Sequence, residues 1–247
     1  MNKELDGRAG ASKAAARRPP TATDSPPKET GPTPAQSVRE EWVNTLTHGV
    51  GTLAALAGGT VLIILAALQG DPWKIVGASV FSLTLVLLYT ASTLYHAVRT
   101  PVMKQRLKIL DHAAIYLLIA GSYTPFTLVG LRGAWGWSLF GVVWGLAVGG
   151  VAFKLFFAGR FRLVSTAIYV AMGWMVLVAV GPMIRHLEPA VMLWLLAGGL
   201  AYTGGTFFYH NRRIAYSHAV WHGFVLAGSA CHAVAVGIHF WTPNGLG

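Results

Sequence analysis

The sequence predicts an all-α protein, a bundle of seven transmembrane helices, and three observations carry that prediction. Of 247 residues, 54% are hydrophobic and only 11% are charged, with a mean hydropathy of +0.52; an ordinary soluble domain carries about twice that charged fraction. Seven stretches free of Asp, Glu, Lys and Arg follow one another from Trp42 onward, each near or above the ~20 residues that cross a hydrocarbon core. The links between them are short, which leaves no room for a water-facing shell. A transmembrane β-barrel would alternate polar and apolar positions, and these stretches do not.

Residues 1–40 hold six of the twelve prolines in a Pro, Ala, Thr and charge mixture without apolar periodicity. They are expected to form a disordered cytoplasmic tail ahead of a membrane domain over 41–247. No short apolar run with a small-residue cleavage site follows the basic stretch, so the first hydrophobic segment is expected to remain as an anchor. The segments are 42–70, 75–98, 112–131, 133–153, 163–184, 189–211 and 214–247. Tyr123-Thr124-Pro125 should bend the third, because proline removes a backbone donor and crowds the preceding turn. Gly141, Gly145 and Gly149 make two overlapping GxxxG steps. Together with Gly58-Gly59, Gly198-Gly199 and Gly204-Gly205 they are expected to let helices of one chain approach closely, since lipid supplies no hydrophobic drive between helices.

Loop charges predict the orientation. Nine Lys and Arg fall in the links after segments 2, 4 and 6 and seven more in the tail, against Lys74, Arg132 and Arg185 on the other side. The positive-inside rule then puts the N-terminus in the cytoplasm and the C-terminus outside, in a plasma membrane. Topology accounts for the net charge of +10. No basic stripe follows a phosphate backbone, so nucleic acid is not an expected partner. Cys231 is the one cysteine, which excludes an intramolecular disulfide and a cysteine-rich metal cluster.

Ionisable residues inside a membrane are costly, and each is by default a candidate for function. Ser92 and His96 close segment 2, Asp111 and His112 open segment 3, and His218 and His222 open segment 7. Spacing of i to i+4 places Ser92 with His96, and His218 with His222, on one helical face. HxxxH alone is a weak signal, but the predicted topology brings all three clusters to the cytoplasmic ends and so to one depth. Three imidazoles with an open position suit Zn2+. Asp111 is the only acid between Lys74 and Arg185, and it would manage a proton or hold an imidazole; the plainer alternative is a carboxylate at a helix N-terminus. Ser92 would donate to a developing oxyanion or to water.

Glu41, Asn44 and His48 share one face at the start of segment 1. They would either stand behind the metal ligands or cap and cross-link helices. His112 should point elsewhere, about 100° round the helix from Asp111. His210 reads as interfacial, and His232 and His239 lie too far along segment 7 for the same metal.

The motifs EWVNTLTHG, SxxxH with Tyr95 before His96, LDHAAIYLLIAGSYTPF from Leu110 and HAVWH from His218 resemble the hemolysin III family. That group belongs with the progestin and adiponectin Q receptors and, more widely, with the alkaline ceramidases. The resemblance runs from Glu41 to about Phe240. It implies a zinc site near the cytoplasmic face, with His96, His218 and His222 as ligands and Asp111 and Ser92 in the same constellation. It further implies a membrane lipid amide as substrate, making the expected activity that of a zinc-dependent, ceramidase-like hydrolase. The alternatives are a receptor or membrane-state sensor with structural zinc, and a lytic pore, which would need polar residues along whole helices.

Overall fold

The structure, a computed structural model, describes residues 37–157, 160–211 and 213–241. The expected disorder of the tail falls on residues outside these, apart from its last few positions. Among the described residues every regular element is helical, and seven spans are long and apolar enough to cross a membrane. They comprise α1 (Val38–Leu68), α2 (Pro72–Ala97), α3 (Pro101–Pro125) with a π turn (Phe126–Gly130), α4 (Ala134–Phe156), a fifth span in three pieces, α7 (Pro189–His210) and α8 (Ser217–Trp241). The fifth is α5 (Arg162–Gly173), a 3-10 stretch (Trp174–Ala179) and α6 (Val180–His186). The chain is a multi-pass integral membrane protein.

Two helix starts lie earlier than the charge pattern indicates. Ser37 accepts from the Glu40 amide at 3.2 Å while Glu40 accepts from the Ser37 amide at 2.8 Å, a capping box that begins α1 at Val38, within the expected tail. Pro101 occupies the first turn of α3, where its missing N–H is no loss, so Lys104, Arg106 and Lys108 ride on helix rather than in a loop. Asp111 therefore lies ten residues inside α3, and the reading of it as a carboxylate at a helix N-terminus is set aside.

The distortion at Pro125 takes the form of the π turn, in which the Leu131 amide donates to the Phe126 carbonyl at 2.8 Å. The fifth span, continuous in the sequence reading, is broken opposite Tyr123. There the Tyr123 hydroxyl accepts from the Val176 amide at 2.9 Å and faces the Met172 and Gly173 carbonyls at 2.8 and 2.7 Å. One side chain thus satisfies backbone groups that lipid would leave unmet.

Glycine packing follows the sequence reading in part. A side chain at Gly141, Gly145 or Gly149 would meet nothing within 4 Å, so the GxxxG steps point away from the bundle, whereas Gly59, Gly198 and Gly205 of the expected pairs each lie against a neighbouring helix, Gly59 facing Ser82 and Gly205 facing Trp221 and Phe224. Other close approaches join them. Gly150 seats the Tyr116 ring and Gly121 faces Thr84. Gly77 lets α2 lie on the Pro125 backbone, where a Cβ would come to 3.0 Å of Pro125 Cα. These contacts hold α2 against α1 and α3, while α8 packs on α1 and α7, and that arrangement brings the ends of α2, α3 and α8 together.

Candidate metal centre

His96 closes α2, and His218 and His222 sit on the first two turns of α8. One ring nitrogen from each lies within 4.8 Å of the others, and the three ring centroids are 4.6 to 5.0 Å apart. The set can hold a metal ion. The hydrogen bonds around it are those a metal site requires. Nδ1 of His96 is 2.7 Å from Glu41 Oε2, and its Nε2 is buried without a partner. Since Nδ1 must donate to the carboxylate, Nε2 carries the lone pair and faces the other two rings. Nδ1 of His222 is 3.1 Å from Thr47 Oγ1, which leaves the opposite nitrogen for coordination.

Behind the ligands stands the first turn of α1. Glu41 joins His96 to Lys104, whose Nζ is 2.9 Å from Glu41 Oε1 and also donates to the Tyr95 and Val98 carbonyls. One carboxylate thereby ties α1, the end of α2 and the start of α3. Asn44 is fully buried, its carbonyl accepting from Thr47 at 2.9 Å. His48 is buried and stacked on His222. Glu41 and His48 thus each touch a candidate ligand, and Asn44 lies between them along α1. Thr47 was not foreseen; the signal was its place three residues after Asn44, beside the same face.

Asp111 is not one of the three-residue ligand set. Its carboxylate lies within hydrogen-bonding range of Ser92, and both line the same space as His218 and His222. His112, expected to point elsewhere, stays close: its Nδ1 is 3.6 Å from Asp111 Oδ2 and it lines the same space, while that Nδ1 is also 2.7 Å from the Lys108 carbonyl and Nε2 is 3.2 Å from the Tyr209 hydroxyl. His210 is engaged with Thr166 Oγ1 at 3.0 Å. His232 and His239 are remote from the three ligands.

That space is a cavity of about 720 Å³, which the sequence reading did not locate. It begins at the histidines and Asp111, passes between α3, the broken fifth span and α7, and ends near Leu131, Leu187 and Met192 at the opposite end of the bundle. Below Ser92 its walls are almost wholly apolar, with Leu118, Phe126, Leu177 and Met183 among them.

Seven spans with a buried three-histidine cluster at one end and an apolar chamber beneath it define a polytopic membrane protein with a candidate metal centre. The chain belongs to the Haemolysin-III related family, whose model matches residues 36–233. It is 46% identical over 194 residues to the Hemolysin-3 homolog of Bacillus subtilis (strain 168), covering 78% of this chain and 91% of that one. It is 44% identical over 195 residues to Hemolysin-3 of Bacillus cereus, covering 79% and 89%. A more distant likeness, 27% over 205 residues and 80% and 83% of the two chains, links it to the human monocyte to macrophage differentiation factor.

Proposed function

We propose that this protein is a zinc-dependent hydrolase of a lipid amide. One observation carries the reading: three imidazole nitrogens converge within 4.8 Å at the mouth of an apolar chamber that Ser92 and Asp111 also line. Three protein ligands rather than four leave the open position that distinguishes a catalytic from a structural site.

Zinc held there supplies a Lewis acid that polarises the amide carbonyl and acidifies water to a pKa of about 7. The chain's own groups do the rest. The chamber takes the hydrocarbon chain, excludes water and sets the amide beside the histidines. Asp111 takes the proton of the attacking water on its carboxylate as the C–O bond forms. It then returns that proton to the departing nitrogen as the C–N bond breaks, so fatty acid and amine leave in balance. Ser92 orients the Asp111 carboxylate at rest and donates to the carbonyl oxygen as it gains charge. Glu41 and Thr47 keep His96 and His222 in the tautomers whose lone pairs face the ion.

The test is elemental analysis of the detergent-purified protein together with release of fatty acid from an N-acyl sphingoid base. The reading expects about one zinc per chain, activity abolished by chelation and restored by zinc, and loss of both ion and activity in His218→Ala. Absence of zinc, or hydrolysis unchanged in His218→Ala, would overturn it.

A further inference from the structure

About two to three helical turns along α8 from His222, four polar side chains meet where hydrocarbon would serve packing as well. Tyr89 of α2 donates to Ser229 Oγ of α8 at 2.6 Å, and the Tyr202 hydroxyl of α7 lies 2.7 Å from the same oxygen. The Tyr202 ring meets the His232 ring edge-on, with centroids 5.4 Å apart. His232 faces the Leu195 backbone, and Gly198 makes room for its ring. Tyr202 and His232 both line the cavity. Ser229 and His232 follow His222 by 7 and 10 residues on α8, which sets the group about 10 to 15 Å along the helix from the candidate metal ligands.

Hydrogen-bond accounting shows unused capacity. Tyr89 gives its proton to Ser229, with the Val225 carbonyl also 3.4 Å away, and between Ser229 and Tyr202 either hydroxyl can donate. The two contacts take two of the three hydroxyl protons; when Ser229 donates, the proton left over is that of Tyr202, which lines the cavity. His232 Nδ1 is buried without a partner. With Nε2 facing the Leu195 carbonyl the ring proton resides there, and Nδ1 is left as an acceptor. Other polar side chains on the cavity wall are closed locally: Ser122 on the Ile119 carbonyl, Thr127 on those of Tyr123 and Thr124, and Thr203 on that of Gly199. The Tyr202 and His232 rings lie 5.4 Å apart, and polar atoms left unmet in an apolar chamber are costly.

We propose that the chamber binds a lipid whose chain carries a hydroxyl group midway along its length, accepting from Tyr202 and donating to His232 Nδ1. A hydroxyl alone among small uncharged groups meets both needs with one atom. A carbonyl would meet only the donor, and a methylene neither. This names the chain of the lipid in the reading above and rests on that reading only for what is then hydrolysed; binding itself does not depend on the metal.

The experiment is competition between 12-hydroxystearate and stearate for the purified protein, read as bound mass by native mass spectrometry in detergent. 3-Hydroxystearate serves as positional control. Net hydrogen bonds of ordinary strength give an expected preference of roughly tenfold for the mid-chain hydroxyl, with 3-hydroxystearate binding like stearate. Tyr202→Phe and His232→Leu should each lower the preference severalfold while stearate binding, which certifies the chamber, persists. Ser229→Ala, which breaks the relay without touching the wall, should do the same to a smaller extent. Equal binding of the two chains by the unaltered protein, or no binding of either, overturns the proposal, as does a preference undiminished in both Tyr202→Phe and His232→Leu. Failure of the hydrolase reading would instead appear as a retained preference with no amide cleavage.

Discussion

His48 of α1 lies flat on His222 of α8, their ring centroids 3.5 Å apart and their planes within 10°. Neither nitrogen of His48 has a hydrogen-bond partner, so packing holds the ring, with the edge of Tyr89 at 5.1 Å on another side. His48 therefore acts on His222 as a flat backing plate. His48→Ala should lower metal affinity about tenfold and stability by about 2–3 kcal/mol. His48→Phe should retain both, since a second flat ring supplies the same support. Zinc titration and thermal unfolding in detergent check the pair.

Glu41 is expected to set metal affinity without touching the metal. Removing its carboxylate in Glu41→Ala frees His96 to turn and to adopt the other tautomer, and it releases Lys104 from α1. A loss of 10- to 100-fold in zinc affinity follows from comparable partners elsewhere, measured by competition with a chelator of known affinity. Lys104→Met, which breaks only the far side of the network, should cost much less.

Asp111 separates catalysis from metal binding. Asp111→Asn keeps the shape and the contact with Ser92 but cannot take a proton. Zinc content should be unchanged, and the rate of amide hydrolysis should fall by about 10²- to 10⁴-fold. Coordinated loss of metal and rate in this variant would instead make Asp111 a ligand.

Two glycines of α4 make a paired test of packing. A side chain at Gly150 would strike the Tyr116 ring, whereas one at Gly145 meets nothing within 4 Å. Gly150→Val should destabilise the protein by about 1–3 kcal/mol through overpacking, and Gly145→Val should leave the unfolding midpoint nearly unchanged. Thermal unfolding of the two variants side by side reads the difference.

Much of this was legible from the chain alone, and the misses share a cause. Segment length and the absence of charge mark a span because the hydrocarbon core imposes both, so all seven were visible. The start of α3 was not, since Lys104, Arg106 and Lys108 fit either a loop or a helix end that reaches into the headgroups. His96, His218 and His222 were legible because i to i+4 spacing and depth are sequence properties. Periodicity put Gly141, Gly145 and Gly149 on one face but is silent about what that face meets. The chamber depends on the distance between α3, the fifth span and α7, and no local pattern encodes such a distance. Tyr89, Tyr202 and Ser229 passed unnoticed because hydroxyls scattered through apolar helices look like ordinary core until both phenol oxygens are found within 2.7 Å of the Ser229 oxygen.

Apolar space of about 720 Å³ is seldom left to vacuum when hydrocarbon is at hand, as small oily molecules entering engineered core voids attest. A molecule drawn from the surrounding bilayer would travel with the protein through extraction and purification as a stowaway. Its identity, read from organic extracts of freshly isolated material, would be a sample of the cell's own choice of passenger.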